Sequence, residues 1–110
     1  MAQNTAIDQS RWGEFLSLFT NGNAGRRVSI ETIDAASDSP IVSKAPLLAI
    51  DYDPAGKGNN LVISLGRETI SGSHIVAAPE QIWEVQDDNG KATGLEVIAA
   101  GGAKTIITLE

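Results

Sequence analysis

Carboxylates and amides gather in one short stretch of this chain, Asp51-Tyr52-Asp53-Pro54-Ala55-Gly56-Lys57-Gly58-Asn59-Asn60. Oxygen-rich loops of this kind hold calcium, because a hard cation surrounds itself with carboxylate, amide and carbonyl oxygens. Asp51, Asp53 and Gly56 fall at the first, third and sixth places of an EF-hand loop, and Asp51, Asp53 and Asn59 are the candidate metal ligands. The pattern then departs from that loop. Ala55 stands at the fifth place, Val62 at the twelfth where a chelating glutamate belongs, and Lys57 adds a cation beside the metal. The competing reading is a strand end followed by a turn built from Pro and Gly. Gly56-Lys57-Gly58 resembles part of a phosphate loop, but no Ser or Thr follows the lysine. The next segment also alternates like a strand, whereas a Walker loop leads into a helix.

His74 is the only histidine, which excludes a multi-histidine metal site. With Ser71 and Ser73 it supplies the ingredients of a base and a nucleophile. Neighbours on a strand point to opposite faces, however, so Ser73 and His74 should diverge. Ser71 with Asp51 or Asp53 still lacks a recognisable oxyanion hole. A structural or exposed strand histidine is the favoured reading. Asp87-Asp88 beside Asn89-Gly90 reads as hairpin chemistry rather than half a metal site. Glu31, Glu84 and Glu96 sit within strands and are assigned to the solvated face. Trp83 is assigned to the core in preference to an exposed interaction anchor.

The elements that position these residues follow from hydrophobic periodicity. Trp12, Phe15, Leu16 and Phe19 recur at i, i+3, i+4 and i+7, which stacks them on one face of a helix over about 9–20. Asp8 is the expected N-cap, and Ile7 with Trp12 has the spacing of a hydrophobic staple. Asn21-Gly22-Asn23-Ala24-Gly25 should end the helix, and Gly13 inside it suggests close backbone packing. From Arg26 to residue 109 the period is that of strands. Val28 and Ile30 share one face; Leu48, Ile50 and Tyr52 another; Leu61, Ile63 and Leu65 a third. A short segment surrounds His74-Ile75-Val76, and a meander turns at Asn89-Gly90 and Gly101-Gly102. Residues 35–45 and 53–60 are the two atypical loops. With no helix between strands the sheet must be antiparallel. The expected fold is α+β: an N-terminal amphipathic helix on a five- to six-stranded antiparallel sheet or small SH3-like barrel, one domain over 1–110.

Eight Lys and Arg against fourteen Asp and Glu leave a net charge of −6, which argues against nucleic acid and against anionic membranes. The one basic pair, Arg26-Arg27, is too small for a phosphate track. The chain has no cysteine, which rules out thiol catalysis, disulfides and thiolate zinc sites. No signal peptide or membrane span is visible, and a cytoplasmic location is expected. The final Leu109-Glu110 is given no weight, since such a pair also arises from cloning.

These residues together resemble a small bacterial family known only as a domain of unknown function. The resemblance lies in Trp12-x-x-Phe15-Leu16-x-x-Phe19, Gly25-Arg26-x-Val28-x-Ile30-Glu31, Leu48-x-Ile50-Asp51-Tyr52-Asp53 and Leu61-Val62-Ile63-Ser64-Leu65-Gly66. It continues in His74-x-Val76-x-x-Pro79-x-x-Ile82 and in Asn89-Gly90 followed by Leu95. It implies a stand-alone domain and transfers no activity, cofactor or site. The functional expectation is therefore a non-enzymatic binding or assembly domain that pairs with a partner or a second copy through a sheet edge. The rivals are ion or small-ligand binding at 51–60 and a small hydrolase around His74. No cofactor is assigned.

Overall fold

The computed structural model describes residues 3–33, 38–53 and 55–110. Its first element is a strand, β1 (Gln3–Ile7), where only a lead-in to the helix was expected. Its polar residues carry no pattern of their own; the strand exists because it pairs with the sixth strand, Ile7 opposite Ile82 and Ala6 opposite Trp83. A 3-10 turn (Gln9–Arg11) follows and leads into α1 (Trp12–Asn23). Asp8 caps the turn, accepting from the Ser10 amide at 3.1 Å. The helix runs beyond Thr20 through Asn23, so Asn21 and Gly22 are helical. Its stop comes at Ala24 and Gly25, where Gly25 takes a φ of 89°. Gly13 is exposed with open space around it, contrary to the close packing expected.

Seven strands follow: β2 (Arg27–Ile33), β3 (Asp38–Asp53), β4 (Asn60–Gly66), β5 (Ile70–Ala77), β6 (Pro79–Gln86), β7 (Ala92–Ala99) and β8 (Lys104–Leu109). All pairings are antiparallel, in the order β1-β6-β7-β8-β2-β3-β4-β5. The sheet thus has eight strands rather than five or six, and it is open rather than an SH3-like barrel. β1, which has no periodicity to read, adds a strand, and the short segment around His74 is a full strand, β5. Residues 38–45, expected as loop, lengthen β3 and pair with β2 without adding a strand. Residues 35–37 of that expected loop lie outside the described residues.

β3 is long enough to serve both halves of the sheet, its first half against β2 and its second against β4. A register shift between Leu47 and Ala49 lets Leu47 and Ile50 both face the core, which simple alternation forbids. The sheet also turns at Ala78, whose φ of 50° separates β5 from β6. Ala78 donates to the Asn59 carbonyl and accepts from the Ala100 amide, both at 2.9 Å, joining three turns at one end.

Trp12, Leu16 and Phe19 pack into a core completed by Val28, Ile30, Leu47, Ile50, Leu61, Ile63, Leu95, Val97 and Ile107. The Trp12 indole donates to the Ile7 carbonyl at 3.0 Å and meets Tyr52 edge-on at 5.1 Å. Thr20 Oγ1 accepts from the Ile50 amide at 3.1 Å, clasping α1 to β3. Leu109 is buried in β8 and pairs with Val28.

Candidate functional site

Directly opposed residues on paired strands share a face, so register assigns every side chain a side. The row Thr5, Glu84, Leu95, Ile107 and Ile30 crosses five strands, and the last three of these are buried. Glu84 therefore lies on the inner face, not on the solvated face to which its charge alone assigns it. The next row, Ala6, Trp83, Glu96, Ile106 and Glu31, is the outer face. Trp83 is thus a half-buried outer residue rather than core, its indole donating to Gln81 Oε1 at 3.0 Å. Glu31 and Glu96 do take the solvent side, where Glu96 accepts from Asn4 and pairs with Lys104 at 3.6 Å.

A groove of about 300 Å³ opens where α1 crosses the end of the sheet. Ile7 on β1 and Phe15 and Leu18 on α1 supply its apolar wall, with Arg11, Asp8 and Glu14 around them and Glu84 reaching in from β6. Leu18 is 65% exposed on the wall of this groove. Burial pushes the Glu84 carboxyl above the usual carboxylate range, and a hydrogen bond from Gln86 at 3.0 Å partly offsets it.

The sheet order leaves β1 and β5 as the edges. β5 reads Ile-Ser-Gly-Ser-His-Ile-Val-Ala, with no acid, lysine, arginine or proline. His74 and Val76 oppose the buried Ile63 and Leu61 and so face inward, while Ser71, Ser73, Ile75 and Ala77 are exposed. Burial lowers the His74 pKa, favouring the neutral ring. Ser73 diverges from it as alternation requires, and the Ser71 hydroxyl donates to the Leu65 carbonyl at 3.2 Å.

Two of the candidate calcium ligands, Asp51 and Asp53, share one face of β3. Asp51 and Asp53 oppose Val62 and Asn60 and are exposed, whereas Tyr52 opposes the buried Leu61 on the other face. Tyr52 donates to Asn59 Oδ1 at 3.0 Å. Among the described residues no three His, Cys, Asp or Glu side chains could hold a metal together. Asp87 spends one carboxylate oxygen on the Asn89 and Lys91 amides, the hairpin role expected of it. Arg26 binds Asn23, the Ala92 carbonyl and the Glu110 carbonyl, so its charge organises the fold.

Glu84 and Leu18 escaped the reading of the sequence. The clue was present in Ile82, which must be inner once it joins the core; alternation then carries Glu84 inward two residues later.

A family model described as a family of unknown function, DUF5335, matches residues 3–110. No curated protein and no solved structure matches the chain.

Proposed function

The chain belongs to this family of unknown function, and we propose that it is a non-enzymatic assembly domain that pairs β5 with β5 of a second copy. The observation that carries this reading is the uncharged edge. Exposed edge strands are ordinarily blunted by lysine, proline, inward charges or bulges, because bare amides and carbonyls invite another chain. β5 spans eight residues without a charged side chain or proline, has its one register shift at Ser71 near its start, and exposes Ile70 and Ile75 at 64% and 55%. An antiparallel strand meeting its own copy about a two-fold axis is automatically self-complementary. The net charge of −6 opposes contact between copies elsewhere on the surface, yet none of that charge lies on this strand. β1 is the poorer edge, since it has five residues and its end already forms a wall of the groove.

Light scattering after size exclusion, from roughly 10 μM to 1 mM protein, tests this directly. The chain should pass reversibly from monomer to dimer, and Ser73→Lys or Ile75→Lys should hold it monomeric without altering its melt. A monomer at every concentration refutes the assembly reading. The rival sites gain no comparable support: Asn59 is committed to Tyr52, and Ser73 leaves the strand on the side opposite His74.

A further inference from the structure

The groove between α1 and β1 is independent of the β5 edge, and its chemistry is different. Its volume, about 300 Å³, lies at the lower end of small-molecule sites, which run from roughly 300 to 1,000 Å³. Such sites pair an apolar lining with a few placed polar groups. Here Ile7, Phe15 and Leu18 are the lining, and Glu84 is the placed group. The Glu84 carboxylate is only partly withdrawn from water, and there a cationic partner gains more than at the open surface. Its one side-chain partner among the described residues is the neutral amide of Gln86. Arg11 borders the same groove but forms no ion pair with Glu84, and Asp8, Glu14 and Glu84 outnumber it.

We propose that this groove binds a small organic monocation, an ammonium group on an apolar body, with the ammonium on Glu84 and the body against Phe15 and Leu18. Charge complementarity selects the cation: an anion would meet three carboxylates against one guanidinium, and a neutral apolar molecule would leave Glu84 with the Gln86 amide alone. Leu18, 65% exposed on the groove wall, is the apolar surface that such a body would cover.

Amide chemical shifts of the full chain, titrated near neutral pH with hexylammonium, 1-hexanol and hexanoate, decide the matter. Hexylammonium should give saturable shifts at Thr5, Ile7, Phe15, Leu18 and Glu84. Hexanol should bind roughly tenfold more weakly, the usual worth of a hydrogen bond to a charged group. Hexanoate should give no saturable shift. Glu84→Gln should bring hexylammonium down to the level of hexanol. Equal affinity for hexylammonium and hexanol in the unaltered chain overturns the proposal, as does unchanged hexylammonium binding in Glu84→Gln. Shifts scattered over the acidic surface without saturation also overturn it. The comparison of ligands on the unaltered chain needs no variant, so misfolding of Glu84→Gln leaves the outcome decidable.

Discussion

Replacing Trp12 by phenylalanine tests the joint on which β1, α1 and β3 all depend. The indole is 1% exposed, donates to the Ile7 carbonyl at 3.0 Å and stands edge-on to Tyr52 at 5.1 Å. Phenylalanine preserves a ring against Tyr52 and removes the donor. The Ile7 carbonyl then loses its partner in a half-buried place, a cost of about 1–2 kcal/mol. The smaller ring also leaves a void of roughly 40 Å³, which at about 24 cal/mol per Å³ adds about 1 kcal/mol. The expected loss is therefore about 2–3 kcal/mol, a large share of the roughly 5–15 kcal/mol that holds a typical domain together. Urea unfolding followed by circular dichroism is the suitable assay, because fluorescence would lose one of the two tryptophans. The midpoint should fall with an unchanged slope, and the melting temperature should drop by roughly 10 °C. Amides of β1 should also exchange faster than those of β7, since Ile7 is released first. A loss below about 0.5 kcal/mol with unaltered β1 exchange refutes the reasoning, for surface substitutions cost that little.

Three further outcomes follow from the same geometry. Gly94→Ala drives a Cβ into the Ile107 carbonyl across the β7–β8 pair and should cost about 1–3 kcal/mol by urea titration. Gly13→Ala meets open space on the exposed side of α1 and should raise stability by up to about 1 kcal/mol, seen as a higher melting temperature. His74 has a pKa below 6.5 in the folded state, so on acidification the unfolded chain takes up the proton first. Stability contributed by the neutral ring is present above 6.5 and is lost as the pH falls from there through the folded value. His74→Gln should abolish that part of the pH dependence, measured by chemical denaturation between pH 5 and 8.

The helix face, the Asn89-Gly90 hairpin, the Gly101-Gly102 turn and the alternating core strands were legible because each rests on chemistry within a few residues. Gly90, Gly101 and Gly102 take φ of 80°, 89° and 95°, angles that favour glycine. What escaped notice depends on partners far along the chain. β1 is polar and becomes a strand only through β6, and residues 38–45 become one only through β2. Trp83 and Glu84 exchanged the faces their chemistry suggested, because the side taken by Ile82 decides the phase of the whole strand and outweighs the preference of either neighbour. The candidate site was correspondingly half visible. The open sheet edge was anticipated in kind, whereas the groove needs α1 and β6 side by side, a juxtaposition that no local spacing encodes.

The pairing of β1 with β6 carries a consequence for the order of folding. Gln3 opposes Gln86, so about 80 residues must follow β1 before its partner exists, roughly 4–16 s at about 5–20 residues per second of synthesis. Pairings this remote in sequence form slowly even in a released chain. Through that interval the ring of Trp12 has no Ile7 carbonyl fixed against it, and the core that α1 helps to close still lacks Ile82, Leu95, Val97 and Ile107. The nascent chain can lay α1 on β3 once that strand is made, but β1 stays unpaired until β6 emerges, which makes the time spent half-synthesised the interval of greatest aggregation risk.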